Sequence, residues 1–509
     1  MKKILILLAY LMVFSGCEDG LEPEIYGSLT PNSFPQTAED YELYTLEVYK
    51  TFTAKWSYQD NGTRYMWFSP ERGYIWHFDV PADQLAVFTE WGGEFLTMSE
   101  ANFAPLVNNG RDFSQFEKVR VVSRITKIIG DLEMAEIDEN AKNQLLSEAK
   151  VARGWTMYYL LHLFGPVPVI LNPEEIGTEV ESDLIRPSRE AFVSAIVEDL
   201  RFAADYLPKD AAAYGRFNKG LALTLLMRLY MNERDFANAE PIGREIQTMG
   251  YSLVDDYMSL FRESTERNNE TIYAISADPE GQGRGPDGNF NAYPYYCLPA
   301  DYPGIFQNGN TAAPQGGWAQ PNAPYMATWE FYDSFDPADE RRQMLVDSYV
   351  AIKETAGGVA AGEVRDRSNL RGAVVEKYAD EGNGPFFGND LMVARYADVM
   401  LMLAEAINEN SGPTQEAIDL VNAVRARAGI GPLDGSAVAS KGAFNEAILQ
   451  ERGWELFLEG VRKFDLERHS KWPSAVEAVA NKNPSPYLYP IPQYAITDSK
   501  GQLNQNPGY

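Results

Sequence analysis

The chain has 509 residues, of which 45% are hydrophobic, and its 73 acidic and 44 basic side chains give a formal net charge of −29. This composition is typical of a globular protein with a sizeable core, and it excludes a wholly disordered chain. The acidic balance repels polyanions and no run of Lys or Arg forms a basic patch, which argues against nucleic acid and heavily sulfated ligands as partners.

The N-terminal residues predict a secretory leader that ends at a cysteine. Two lysines follow the start Met, and the apolar run ILILLAYLMVF at 4–14 is about half of the ~20 residues that a membrane-spanning helix needs. Two small residues precede Cys17, an ending that resembles a bacterial lipoprotein box, in which the thiol is lipidated and the leader is cut before it. We expect a signal peptide at 1–16 and a lipidated Cys17 as the first mature residue. A plain signal peptide with an incidental cysteine is the alternative.

A tether follows the lipidation site. Residues 18–38 are polar and contain proline, so we interpret 17–38 as the lipidated cysteine and a flexible linker. Glu18 and Asp19 resemble the acidic stretch that directs such lipoproteins to the cell surface. No later segment approaches ~18 consecutive apolar residues, so we expect a protein that is anchored to a membrane without crossing it.

Helical periodicity dominates the region 39–270. Apolar residues at three- and four-residue spacing predict helices that begin at Ala38 and at Phe113. Another helix is predicted at 143–165, where a Gly-Pro pair ends the pattern. The next one begins after Ser188, which has the side chain of an N-cap residue.

Two segments repeat one design. An apolar helix, a polar turn and an Ala-rich helix follow one another in 219–250, with the turn at 232–235, and again in 396–429. Each segment has the size of a tetratricopeptide unit, and such a hairpin buries its apolar face only by stacking on others. The sequence therefore predicts a mainly α fold, a tetratricopeptide-like helical-pair scaffold with long loop-rich insertions. We expect 39–270 and 271–509 to form one compact fold.

Residues 281–325 are a different kind of sequence. Gly, Pro and Asn dominate, only three residues are charged, and eight are aromatic. A disordered linker has few aromatics and more charge, so we interpret this segment as an ordered excursion on the surface. Long ordered loops tend to carry function.

Motifs for catalysis are missing. The three histidines have no useful spacing, and no nucleophile elbow, zinc-protease, phosphate-binding or EF-hand pattern occurs. Among 73 carboxylates some pair always lies at glycosidase distance, so that signal singles out no site. We expect no catalytic residue, no cofactor and no metal centre, although a structural calcium ion stays open. Cys297 is expected to be a small buried residue.

Three glutamates in the segment 443–470, interpreted as one helix, recur at every fourth position. Glu451, Glu455 and Glu459 would line one helix face, where like charges repel. The ladder therefore predicts cationic partners from other helices, and the candidates are Arg395, Arg425 and Arg427. A metal-binding or catalytic carboxylate face is the alternative.

Aromatic residues cluster in two irregular regions. Four of the nine tryptophans lie within 56–91, and a second group of Tyr, Phe and Trp lies in the excursion. Aromatic faces suit the C–H faces of sugar rings, and flanking Asn, Gln and Asp suit the hydroxyl groups. The clusters indicate a platform for a neutral glycan; the alternative is that the rings form small cores of their own loops.

Four stretches together resemble the SusD/RagB family of Bacteroidetes surface lipoproteins. They are LLSEAKVARGWTMYYLLHLFGPVPVI, RYADVMLMLAEAINE, ERGWELFLEGVRKFDLER and the tail YLYPIPQYAITDSKGQLNQNPGY, where Tyr494 and Ala495 stand at a usually acidic position. The third stretch is similar to the family signature at Glu451, Arg452, Glu455, Leu456, Glu459, Gly460, Arg462, Asp465, Leu466 and Arg468.

The resemblance implies a fold of about four tetratricopeptide-like pairs with a loop-rich second half. It implies a position on the extracellular face of the outer membrane, where the protein would cap a SusC-type TonB-dependent transporter and hand it oligosaccharides. The signature would be scaffold, a structural salt-bridge helix. A lid with little glycan affinity of its own and a surface glycosidase or peptidase are the alternatives.

The resemblance also implies which aromatics hold the glycan. In the starch-binding prototype one ring from an N-terminal loop and two from the later excursion form an arc. The rings here at similar positions are Trp67, Trp76, Tyr295, Tyr296 and Trp318. The ligand implied is a neutral oligo- or polysaccharide of unknown identity.

Overall fold

The computed structural model describes residues 34–54, 68–86, 92–182, 184–277, 289–303, 323–352, 354, 360–378 and 387–509. Cys17, Trp67 and Trp318 lie outside these ranges. Within them, no helix combines the length and apolar character needed to cross a bilayer.

Helices form most of the described architecture. Those of the first half are α1 (Ala38–Thr45), α2 (Tyr74–Phe78), α3 (Gly93–Ser99), α4 (Val119–Glu133), α5 (Glu139–Phe164), α6 (Arg189–Tyr206), α7 (Lys219–Asn232) and α8 (Phe236–Gln247). Those of the second half are α9 (Tyr293–Cys297), α10 (Trp329–Asp333), α11 (Tyr396–Ser411), α12 (Gln415–Arg427), α13 (Lys441–Glu455), α14 (Arg462–Arg468), α15 (Trp472–Glu477) and α16 (Gln493–Asp498). Short 3-10 turns lie at Leu46–Thr51, Ala104–Asn108, Gln115–Lys118, Pro173–Glu175, Glu179–Ser182, Tyr257–Phe261, Glu263–Thr265 and Glu340–Met344.

Short antiparallel strands lie in the second half. They are β1 (Thr271–Ile275), β2 (Met326–Ala327), β3 (Leu345–Val346), β4 (Tyr349–Val350), β5 (Val364–Arg365), β6 (Ala373–Val375) and β7 (Leu391–Arg395). Strand β1 pairs with β7, β6 lies between β2 and β3, and β4 pairs with β5. The β1–β7 pair runs directly into α11, so it joins the loop-rich half to the scaffold.

The scaffold is a stack of helices in which each member packs on the next. Helix α4 contacts α5, and the contacts continue through α6, α7 and α8 to α11, which also packs on α12 and α13. The two hairpins predicted from the sequence are therefore α7–α8 and α11–α12, and they stack directly although long insertions separate them in the chain. A Cβ atom added at Gly243 would lie 2.7 Å from Met227 and 3.1 Å from Leu403, so this glycine permits the close approach of α8.

Helix α5 forms the centre of the core. Asp138 caps its first turn by accepting hydrogen bonds from two backbone N–H groups, and Gly165 at φ +75° ends it. The side chains of Trp155, Tyr158 and Tyr159 in the helix are fully buried. The N-cap predicted for α6 is confirmed, since the Ser188 hydroxyl accepts from the backbone N–H of Ala191 at 3.1 Å.

Two segments differ from their predicted local structure. Part of the excursion is helical, because residues 293–297 form α9. The segment 443–470 is not one helix: α13 ends at Glu455, and Leu458 and Gly460 adopt positive φ before α14 begins. A Cβ atom at Gly460 would lie 2.5 Å from the ring of Tyr74, so the turn has room only for glycine.

Candidate functional site

The bend in the signature segment (residues 443–470) changes how its charges are held. Glu451 and Glu455 lie on α13, but Glu459 lies in the turn after it, so the three do not form the single helical face that was predicted. All three side chains nevertheless point inward and are almost completely buried. Buried carboxylates need cationic partners, and the rest of the fold supplies them.

Ten buried or nearly buried side chains form the first ionic cluster, five carboxylates and five cations. The members are Glu270, Asp339, Glu451, Glu455, Glu459, Arg341, Lys377, Arg395, Arg425 and Arg427. Arg395 donates to Glu459 at 2.9 Å and to Glu270 at 2.9 Å, and it also donates to Glu455. The three arginines proposed as partners are therefore present, and they are joined by Arg341 and Lys377, which the sequence did not indicate.

The charges of the first ionic cluster are compensated unequally. Burial alone raises the pKa of Glu455, but Arg427, Arg395 and Arg341 outweigh it and hold the pKa below the ordinary value. Burial dominates at Glu451, and it raises the pKa of that carboxyl despite Arg341 and Arg425. Removing one cation would thus leave a buried carboxylate without a compensating charge and without solvent to stabilise it.

A second ionic cluster lies on the other side of α13. Its members are Arg228, Asp398, Glu405, Arg452, Asp465 and Arg468, and their charges balance. Arg468 donates to Glu405 at 2.6 and 2.9 Å, and Arg452 links Asp398 to Asp465. The cluster ties α7 and α11 of the scaffold to both halves of the signature segment.

The signature segment also holds residues 79–84, which belong to the first aromatic region (56–91). Arg462 donates to both carboxylate oxygens of Asp83 at 2.8 and 2.7 Å. The backbone N–H groups of Gly460 and Arg462 donate to Asp79. Burial raises the pKa of Asp79 to about 7 in spite of those two hydrogen bonds. Gln84 donates to the carbonyl of Gly453 at 2.7 Å, so 79–84 is fixed to α13 and α14.

Rings from both aromatic regions meet in one aromatic cluster, which consists of Trp76, Phe95, Tyr296 and Tyr325. The ring centroids of Trp76 and Phe95 are 4.5 Å apart, those of Phe95 and Tyr296 are 6.5 Å apart, and those of Tyr296 and Tyr325 are 5.6 Å apart. Phe95 is half-buried, whereas the other three rings are buried. Phe95 and Tyr325 were not among the predicted site residues, because no spacing in the sequence relates 95 to 325.

The described members of the predicted glycan platform have little exposed surface. Trp76 is 1% exposed, Tyr296 is fully buried, and Tyr295 is 6% exposed between Phe290 and Phe387. A ring stacks on a sugar only through an open face, so in this structure these three rings serve as core rather than as an open platform. Phe95 is the member of the aromatic cluster that is half-buried.

Polar groups border the aromatic cluster. Tyr296 donates its hydroxyl proton to Glu71. Burial raises the pKa of Glu71 above its ordinary value, although that hydrogen bond opposes the rise. Arg72 donates to Glu94 at 2.9 Å. Glu71, Arg72 and Glu94 are half-buried, so they combine firm positions with access to solvent. A half-buried aromatic residue beside fixed hydrogen-bonding groups is suited to a hydroxylated ligand.

The flanks of several loops come together around the aromatic cluster. Ala54 donates its N–H to Asn289 at 3.1 Å, and Ala86 donates its N–H to Met326 at 2.8 Å. Asn291 likewise donates to Phe387 at 2.9 Å. Ala54, Ala86, Asn289 and Phe387 adjoin 55–67, 87–91, 278–288 and 379–386, and Met326 lies four residues after 304–322. These stretches include Trp67 and Trp318 and lie outside the described residues.

The remaining candidates for site chemistry are Cys297 and groups of potential metal ligands. Cys297 is buried, and burial raises the pKa of its thiol. Over the ranges that the structure describes, no group of three or more His, Cys, Asp or Glu side chains is arranged to hold a metal ion.

The chain is similar to known protein families and to individual relatives. Residues 269–509 match the model of the SusD family, and residues 115–231 match a family described as starch-binding and associating with the outer membrane. SusD-like protein P2 of Formosa agariphila is 26% identical, over 99% of this chain and 98% of its own length. SusD-like protein P38 of the same organism is 23% identical, over 99% and 98%.

Solved structures share the fold. Surface glycan-binding protein A from Bacteroides thetaiotaomicron, in complex with laminarihexaose, has a TM-score of 0.72 at 21% identity and covers 93% of this chain and 100% of its own. A laminarin-binding SusD-like protein has a TM-score of 0.70 at 21% identity, with 93% and 100% covered. The chain belongs to the SusD/RagB family. Its mainly α, tetratricopeptide-like scaffold is the fold of that family.

Proposed function

We propose that the protein is a cell-surface glycan-binding lipoprotein that captures a neutral oligo- or polysaccharide and delivers it to a SusC-type TonB-dependent transporter. The observation that carries the proposal is the position of the aromatic cluster. It is fixed by the signature segment, it is bordered by half-buried polar groups, and the flanks of the aromatic-rich loops surround it. A protein of the same fold in complex with laminarihexaose, and a laminarin-binding protein of that fold, support a glycan as the ligand.

The capture surface in this proposal combines Phe95 and the polar groups near it with Trp67 and Trp318, which lie outside the described residues. Phe95 offers a half-buried ring, and Glu71, Arg72 and Glu94 would offer hydrogen bonds to hydroxyl groups. Trp67 and Trp318 would complete the platform from the adjoining loops. Trp76, Tyr295 and Tyr296, which are buried, would support those loops from the core.

A lid that caps the transporter with little affinity of its own is the second candidate. The burial of Trp76, Tyr295 and Tyr296 favours it, because these rings offer a sugar almost no surface in this structure. Co-purification with a transporter, combined with no binding of any glycan by the isolated chain, would support the lid over capture. A glycosidase is the least supported candidate, and turnover of a glycan by the pure protein would be its sign.

Replacing Phe95 by alanine is expected to weaken glycan binding about tenfold, because one aromatic stacking contact contributes about 1.4 kcal/mol. We expect similar losses for Trp67→Ala and Trp318→Ala. The measurement is a calorimetric titration with laminarihexaose and with neutral polysaccharides of other linkages.

Tyr206→Ala is the matched control for these variants. Tyr206 is an aromatic residue at the end of scaffold helix α6 and is 48% exposed, so its removal should leave glycan affinity unchanged. Equal affinity of all four variants and the wild type would remove the aromatic cluster and its loops as the capture surface.

A further inference from the structure

Residues 79–84, which we call the joint, link two members of the aromatic cluster to each other. The joint follows directly on α2, the helix that carries Trp76. At its other end the carbonyl of Gln84 accepts from the backbone N–H of Thr328 at 2.9 Å, three residues after Tyr325. The anchoring of the joint therefore decides how firmly the aromatic cluster is held on the scaffold.

Asp79 anchors the joint with a buried carboxylate. It is 2% exposed, and its two oxygens accept from the backbone N–H groups of Gly460 at 2.6 Å and of Arg462 at 3.1 Å. These two hydrogen bonds do not replace the hydration of a full charge, so burial raises the pKa of Asp79 to about 7. Asp398 is also buried, but it is bound by two arginines, which outweigh burial and hold its pKa below the ordinary value.

The charged and titratable groups around Asp79 do not compensate its charge. They are Tyr74 of α2, Tyr293 of α9, Lys377 and Tyr378 after β6, and Glu459 and Arg462 of the signature segment. Burial raises the pKa of each of the three tyrosines, so they are neutral at pH 7. Lys377 forms an ion pair with Glu459 at 2.9 Å. The guanidinium of Arg462 is paired with Asp83 at 2.7 Å, so among the described residues no cation pairs directly with Asp79.

Lys482 anchors the joint from another side. Its amino group donates to the carbonyls of Val80 at 2.8 Å and of Ala82 at 2.6 Å, and the side chain is buried. Asp83 acts on it from beyond ion-pair distance, and that carboxylate is already bound by Arg462. Burial lowers the pKa of Lys482 to about 7, because the charge of Asp83 opposes the loss of hydration only in part.

Opening of the joint would hydrate both anchors and return them to their ordinary pKa values, 3.8 for Asp79 and 10.5 for Lys482. The closed joint disfavours the charged form of Asp79, so opening becomes easier as the pH rises from about 4 to about 7. The closed joint also disfavours the charged form of Lys482. Opening therefore becomes harder again above about pH 7, where the buried lysine loses its proton.

We propose that residues 79–84 are a pH-sensitive joint between the scaffold and the aromatic cluster, held less firmly near neutral pH than in mild acid or mild alkali. Neither anchor is lost when it is neutral. A protonated Asp79 keeps an acceptor oxygen, and an uncharged Lys482 keeps two N–H donors for its two carbonyls. The joint is a property of the fold, so the proposal does not depend on glycan binding at the aromatic cluster.

Hydrogen exchange of the intact protein, read by mass spectrometry, tests the joint directly, because the amide protons of Gly460 and Arg462 are bonded to Asp79. The measured quantity is the protection of peptides that cover 79–84 and 460–462, corrected for the intrinsic pH dependence of amide exchange. We expect protection to fall about tenfold from about pH 5 to about pH 7, and to rise about tenfold from there to about pH 9.

Two variants separate the contributions of the anchors. Asp79→Asn keeps the size of the side chain and an acceptor oxygen but cannot ionise, so protection should no longer fall on the acid side of neutrality. Lys482→Met has no proton to lose, so protection should no longer rise on the alkaline side. Each variant should keep the half of the pH profile that belongs to the other residue, which makes each the folding control for the other.

The first turn of α6 is the internal reference. The N–H of Ala191 there is bonded to the hydroxyl of Ser188, which does not titrate in this range, so its protection should show no minimum near pH 7. Constant protection of the joint across the whole pH range would overturn the proposal. A minimum that persists in both variants would overturn it too, as would an equal minimum in the first turn of α6, since the pH change would then act on the whole molecule.

Discussion

Arg395→Met is expected to lower the free energy of unfolding by about 3–5 kcal/mol, the usual cost of breaking a buried ion pair by removing one partner. Methionine fills much of the space of the arginine but donates no hydrogen bond. The carboxylate of Glu459 would lose two of the hydrogen bonds that it accepts, and those of Glu455 and Glu270 would each lose one. All these carboxylates are buried, so water cannot replace the lost donor. Urea titration followed by circular dichroism measures the change.

Arg244→Met is the matched control for this loss. Arg244 also contacts two carboxylates, Glu240 and Glu416, but its side chain is 43% exposed. Exposed ion pairs contribute about 0–1 kcal/mol, because solvent screens them and compensates their loss. If Arg395→Met destabilised the protein no more than Arg244→Met, the buried ion pairs of the first ionic cluster would not contribute the stability that we assign to them.

Cys17→Ala is expected to abolish anchoring through a lipid. Without the thiol no diacylglycerol is added, and each acyl methylene contributes about 0.8 kcal/mol of membrane affinity, so the change in partition is very large. The variant should either be released or accumulate as unprocessed precursor. Its fold and any glycan affinity should be unchanged, because residues 17–38 are expected to act only as a tether. Fractionation of membranes and intact-mass measurement of the lipid test this.

Cys297→Ala controls for the loss of a thiol as such. Cys297 is 2% exposed in the core, so its replacement should leave a small cavity and unaltered attachment. Retention of Cys17→Ala on the cell surface, with an unlipidated N-terminus, would contradict the lipoprotein interpretation and leave a plain signal peptide.

The helical pairs could be predicted from the sequence, because apolar residues recur with a period of 3.6 residues in a helix that has one apolar face. The hairpins α7–α8 and α11–α12 appear at their predicted places for this reason. Their direct stacking could not be predicted, since it depends on contacts such as Gly243 against Leu403 between residues far apart in the chain. Local periodicity carries no information about such pairs.

The signature segment shows what residue types alone can and cannot specify. Three glutamates that recur at every fourth position predicted cationic partners, and the candidates were Arg395, Arg425 and Arg427. Arg341 and Glu270 lie in polar stretches that look like surface, so their burial gave no signal in the sequence. The helix break at Gly460 was missed because a single glycine in a helical pattern is often tolerated.

The aromatic residues show a different limit. Their clustering was visible in the sequence, but a ring that binds sugar and a ring that fills a core have the same composition. Only burial separates Trp76 and Tyr296 from the half-open Phe95. Phe95 itself lies in the short helix α3, away from the clusters that drew attention.

The central claim is that the aromatic cluster and its adjoining loops form the glycan-capture surface. Hydroxyl-radical footprinting of the intact chain, with and without a bound glycan, tests this claim most directly. Laminarihexaose is the first probe, followed by neutral polysaccharides of other linkages. We predict protection of Phe95, Trp67 and Trp318 in the complex, with Tyr206 on α6 unaffected. Protection confined to the scaffold helices, or no protection by any neutral glycan, would contradict this account.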